Sequence, residues 1–159
     1  MVELFLESIM FLHGLFATFS IVVAVIIASI ILKGSLQGNA IRGLKMFALL
    51  LVILAFAVNL TGAYGYLFYR LPTADSPKSL ILEVDPFAHE ILFETMEYLG
   101  LIGPIWSVAI AWMISYYGKQ LATVMELRRT LLLHLILFVA WMIAISYTGL
   151  IPTMIAPVG

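Results

Sequence analysis

The stretch Ile9–Leu32, IMFLHGLFATFSIVVAVIIASIIL, contains no Asp, Glu, Lys or Arg and only one ionisable side chain, His13. A helix needs roughly 20 apolar residues to cross a hydrocarbon layer about 30 Å thick. This run meets that requirement and sets the terms for the rest of the chain. It ends at Lys33-Gly34-Ser35, with Gly38 and Asn39 extending the turn. Three further runs repeat the pattern: Met46 to Phe68, a third helix starting at Pro86 and ending near Gly118, and Leu131 to Ile151, stopped by Pro152. The expected fold is therefore all-α: one four-helix transmembrane bundle, residues 1–159, with spans at 9–32, 46–68, 86–118 and 131–151. Composition agrees. Of the 159 residues 64% are apolar and 11% charged, with a mean hydropathy of +1.13, against about 45–50% and about 25% in soluble domains.

The chain begins without a basic segment, carries Glu3 and Glu7, and has an apolar run longer than a signal sequence uses. It reads as a first span rather than a cleavable leader. Basic residues set the expected orientation. Lys33, Arg42, Lys45, Lys119, Arg128 and Arg129 fall in the connections between spans one and two and between three and four, where Glu126 is the only acid. The other side has Arg70 and Lys78 against Glu3, Glu7, Asp75, Glu83, Asp85, Glu90, Glu94 and Glu97. The net charges are +5 and −6, so both termini and the loop from Thr73 to Asp85 are expected outside the cytoplasmic membrane of a prokaryote. An outer face this acidic attracts a basic partner or cations. The segment from Thr73 to Asp85 is expected to be an ordered loop, or a short strand-like arm over Ser79 to Val84. Asp85 caps the third helix ahead of Pro86, and Gly100, Gly103 and Pro104 predict a kink in its outer half.

The absence of cysteine excludes thiol chemistry, disulfides and thiolate metal sites. There is no phosphate-binding glycine loop and no basic patch suited to nucleic acid. What remains is three histidines in or beside the spans, each a functional candidate because an ionisable group in lipid is costly unless paired. At 1.5 Å rise per residue, His13 lies roughly 6 Å below the outer edge, His89 about 13 Å on the outer side, and His134 about 25 Å from that edge. Axial ligands of one haem must share a depth. A kink, tilt or burial against the loop would bring His89 down to His13, whereas His134 stays too deep to share an iron with it, and two arrangements follow. His13 pairs with His89, or takes Met10 or Met96 as the sixth ligand; separately, His134 and Met113 form an inner site. Tyr64 and Tyr66, with Tyr147 and Thr148, stand where a quinone headgroup or haem propionates would be contacted. Glu90, Glu94 and Glu97 form one stripe whose like charges demand a cation or proton. Arg70 and Lys78 are the outer cations available. With His13 and His89 the stripe also suits a non-haem iron, manganese or zinc ion.

In size, span number, outer-side histidine and lack of cysteine, the chain resembles the small four-helix membrane cytochromes b, including haem-bearing anchor subunits of respiratory complexes. The resemblance implies haem b held by candidates among His13, His89 and His134, and electron relay between quinol and an outer-face partner within a larger complex. It implies an electron-transfer subunit rather than a chain with its own catalytic residues. The alternatives are a cofactor-free accessory subunit packed on other membrane subunits, and the outer-facing metal site.

Overall fold

The computed structural model describes residues 2–34, 36, 38–74 and 76–155, side chains excepted at 2–4, 6 and 150–155. Ser35, Asp75 and the side chain of Glu3 lie outside the described residues. Three helices are each 31 residues long: α1 (Val2–Leu32), α2 (Asn39–Tyr69) and α6 (Met125–Ile155). At 1.5 Å per residue each extends ~46 Å, beyond the apolar thickness of a bilayer. The short α3 (Pro77–Val84) precedes a broken third pass of one π-helical turn (Ala88–Phe93), α4 (Glu94–Gly100) and α5 (Ile102–Tyr117). A 3₁₀ turn, Gln120–Ala122, leads into α6. Four helical segments, Glu7–Leu32, Asn39–Tyr69, Ala88–Tyr117 and Met125–Gly149, are long and apolar enough to cross a membrane.

Several boundaries differ from the sequence expectation, with α2 starting at Asn39 rather than Met46 and α6 at Met125 rather than Leu131. The segment expected as a strand-like arm, Ser79 to Val84, belongs to α3. Ser76 caps this helix, its Oγ accepting from Ser79 N at 3.3 Å, and Pro77 occupies the first turn. A serine cap followed by proline starts a helix, because proline presets the backbone and lacks only an N–H that the first turn leaves unused. The first helix begins at Val2 rather than Ile9. The last runs through Pro152 to Ile155, since a proline near a helix end forfeits a single backbone bond. The third pass does restart behind Asp85, whose Oδ1 accepts from Phe87 N at 3.1 Å. It is interrupted at Leu101, so Pro104 falls in the first turn of α5, where proline is tolerated.

The helices close a ring in which α2 packs on α1 and α5, and α6 on α1 and α5. The α1–α2 connection turns at Gly34, whose φ of 72° lies in the left-handed region; a side chain there would also meet Arg128 Nη1 at 3.2 Å. The main core joins Ala24, Ile27 and Ile31 of α1 to Leu44 and Leu51 of α2, Ile110 and Ile114 of α5, and Leu131, Leu135 and Phe138 of α6. It fills the half of the bundle nearest the basic connections. The acidic half is joined differently, by side chains lodged in glycine notches. A Cβ on Gly62 would lie 3.0 Å from the His13 ring, one on Gly65 2.8 Å from Met10 Sδ, one on Gly103 3.0 Å from Trp141, and one on Gly149 2.7 Å from Met96 Sδ. Small residues allow this close approach in helices that lack a hydrophobic drive to associate in lipid.

Candidate functional site

The acidic end holds the densest set of polar and aromatic side chains. Tyr69, the last residue of α2, is buried against Ile81 of α3 and Ala88 of the π turn. Its hydroxyl lies 2.7 Å from His89 Nδ1. His89 is 2% exposed, and its Nε2 is 3.9 Å from Glu94 Oε1. Glu94 Oε1 accepts from Arg70 Nη2 at 3.1 Å, and the same nitrogen stands 3.7 Å from Glu97 Oε2. That oxygen is buried and, among the described residues, accepts no hydrogen bond of good geometry. Beneath the charges lies an aromatic stack, with Phe93 4.0 Å from Tyr69 and 6.2 Å from Tyr66 between ring centroids. The Arg70 guanidinium sits 4.7 Å over the Tyr66 ring, a cation–π contact. The wide π-helical turn carries His89 and Phe93 together into this cluster; such turns recur at functional sites.

The cation demanded by the glutamate stripe is thus Arg70, which serves Glu94 and Glu97, while Glu90 is exposed. The cluster takes in Tyr66, His89, Glu94 and Glu97 from the expected site residues, and adds Tyr69, Arg70 and Phe93. Tyr64 is apart, edge-on to Phe5 and beside Phe68.

The other histidines are held elsewhere. His13 Nδ1 is 3.0 Å from the Val58 carbonyl and 3.3 Å from Thr61 Oγ1. A carbonyl can only accept, so this nitrogen carries the proton and Nε2 keeps its lone pair. His134 has the opposite tautomer. Trp106 Nε1 donates to its Nδ1 at 3.3 Å, which puts the proton on Nε2. Along α2, Tyr69, which holds His89, lies eight residues or ~12 Å of rise beyond Thr61, which holds His13.

The structure therefore does not bring His13 and His89 to one level. Of the expected thioether ligands, Met10 and Met96 fill glycine notches and Met113 packs against the core. The donors fit one axial imidazole, His13, and do not form the expected axial pair. Among the described residues no three His, Asp or Glu side chains converge as a metal site, so the set His13, His89, Glu90, Glu94 and Glu97 is divided.

One more polar contact supports the broken third pass. Asn59 Nδ2 donates to the Gly100 carbonyl at 3.3 Å. In a regular helix that carbonyl receives the N–H of residue 104, which in this chain is proline. Comparison with known family models, curated proteins and solved structures finds no match for the chain.

Proposed function

We propose that this chain is the quinol-side membrane subunit of a respiratory-type oxidoreductase complex. In this reading the acidic end faces outward, as the distribution of basic residues favours, and electrons pass to a basic partner docked there. The observation that carries it is the buried imidazole of His89, set between the Tyr69 hydroxyl and Glu94. Quinol oxidation releases two protons along with two electrons. A phenol and an imidazole are suited to hydrogen-bond the headgroup. Imidazole accepts a proton at one nitrogen and releases another at the second, and Glu94, partly exposed and balanced by Arg70, passes it to water. The electrons go to a redox centre of the complex.

The test uses the protein purified in mild detergent with its co-purifying subunits. Bound quinone is extracted and counted, and binding of a short-chain quinol is titrated for wild type, His89→Gln and Tyr69→Phe. The reading expects near-stoichiometric quinone in wild type and at least tenfold weaker binding in His89→Gln. A folded complex that neither retains quinone nor binds the added quinol overturns it.

One observation favours a second reading, a haem b ligated by His13. The Nδ1–H of His13 is held by a backbone carbonyl with Nε2 free, the second-shell arrangement of a ligating histidine. A haem bound there supplies one-electron transfer; Val58 and Thr61 fix the ring. A dithionite-reduced minus oxidised spectrum with a pyridine haemochrome assay decides it, with His13→Ala expected to abolish the signal. A colourless, quinone-free protein moves the assignment to an accessory subunit of a larger membrane complex.

A further inference from the structure

At the basic end, the seam between α2 and α5 opens into a groove of about 340 Å³. Its walls are apolar, formed by Leu49 and Val52 of α2 and Val108 of α5, and Trp112 lines the same hollow. Polar groups occur only towards one end, where Lys45 and Ser115 line it. The Lys45 stem is level with the end of α5, since a Cβ on Gly118 would stand 3.5 Å from Lys45 Cε. From Lys45 to Val52 the groove runs ~10 Å towards the middle of the bundle. Among the described residues Lys45 enters no ion pair. It belongs to the end of the molecule where six basic residues face one acid.

We propose that this groove binds one anionic phospholipid. Its acyl chain lies along Leu49, Val52, Val108 and Trp112, its phosphate meets the Lys45 ammonium, and the Ser115 hydroxyl stands between the two. Trp112 is six residues, ~9 Å, further in than Gly118, at the depth of the acyl chain. A basic residue at the mouth of a crevice between helices selects an anionic headgroup over a zwitterionic one, by a factor of about five for a single charge. The charge of the whole end accounts for the sign of the ligand, and the apolar walls for its being a lipid rather than a free phosphate. The proposal rests on the helices crossing a membrane and is independent of the oxidoreductase reading.

The test is tryptophan quenching of the full chain in dodecyl maltoside micelles, by phosphatidylglycerol or phosphatidylcholine with brominated acyl chains. Trp106 and Trp141 are partly buried against each other and Phe138, whereas Trp112 is 56% exposed. The quenched component is therefore expected to vanish in Trp112→Phe. Phosphatidylglycerol should quench at about fivefold lower mole fraction than phosphatidylcholine. Lys45→Gln should merge the two curves, and Lys33→Gln, at the same end but outside the groove, should leave them apart. Equal quenching by both lipids in wild type overturns the proposal. So does a preference that survives Lys45→Gln, or one that Lys33→Gln removes equally, which would mark general attraction to a basic surface. A co-purifying polypeptide that shields Trp112 from both lipids overturns it in favour of a protein occupant.

Discussion

Replacing Asn59 by alanine tests how the third pass tolerates its proline. Pro104 has no N–H for the Gly100 carbonyl, and Asn59 reaches across from α2 to supply one. The same amide nitrogen is 3.3 Å from the carbonyl of Ala55 on its own helix. Both contacts are near the long limit for N–H···O bonds. Interhelical hydrogen bonds in membrane proteins average about 0.6 kcal/mol, with a maximum near 1.7, and a buried acceptor left bare costs about 1–3. Asn59→Ala should therefore destabilise the bundle by about 1 kcal/mol. The decisive comparison is with Pro104→Ala, which returns an N–H to Gly100. In that background the loss of Asn59 should cost about 0.5–1 kcal/mol less, a factor of roughly two to five in the unfolding equilibrium. The assay is reversible unfolding in mixed dodecyl sulfate and maltoside micelles, followed by far-ultraviolet circular dichroism. If Asn59→Ala costs the same in both backgrounds, Asn59 does not serve the carbonyl that proline frees.

Two glycine substitutions separate rigid from compliant neighbours. Gly103→Ala meets the Trp141 ring at 3.0 and 3.1 Å and should cost about 1–3 kcal/mol in the same assay; Gly65→Ala meets the mobile end of Met10 and should cost less than half as much. Tyr69→Phe keeps the stack on Phe93 but leaves His89 Nδ1 without its partner, so a loss of about 1–2 kcal/mol is expected. Ser76→Ala removes the cap of α3 and should weaken that helix by about 1 kcal/mol. Amide exchange read by mass spectrometry should speed up across α3, with global unfolding nearly unchanged.

The spans were legible because transfer into lipid depends on composition along one dimension. Every backbone group in such a run must bond within its own helix, so an apolar run alone settles its conformation. The cap of α3 was legible too, as Ser76-Pro77 ahead of a short apolar segment, but eight residues are too few for helical periodicity to stand out from a loop or an extended arm. The π turn left no trace, since Ala88–Phe93 reads as ordinary helix. Its extra width becomes useful only once Tyr69 is known to face it. The cation for the glutamate stripe could be narrowed to Arg70 or Lys78 by charge alone. Which of them answered depended on α2 ending one residue before Arg70, within reach of α4. Depths counted from span edges already set His13 and His89 apart. Their pairing called on a kink or tilt to close the gap, and the third pass breaks at Leu101 with His89 still held at the end of α2.

These misses share a cause that bears on function. The basic half is held by a dry apolar core, in which hydrophobic and about the right size is enough. The acidic half is held by directional contacts: Met10 and His13 in glycine notches, Asn59 on Gly100, Tyr69 on His89, and Arg70 between two carboxylates. Each such contact needs a specific partner on another helix, which periodicity does not name. Among the described residues few apolar side chains are fully buried there, and sparse burial of this kind favours local opening. The proposed site, which would exchange protons with water and admit a headgroup from the bilayer, needs that property. At the basic half α2 meets α5 through the main core, and at the acidic half it meets the third pass through Asn59, Tyr69 and Arg70; the proposed function depends on the second kind of joint opening to let a headgroup reach His89 while the first keeps the ring of helices closed.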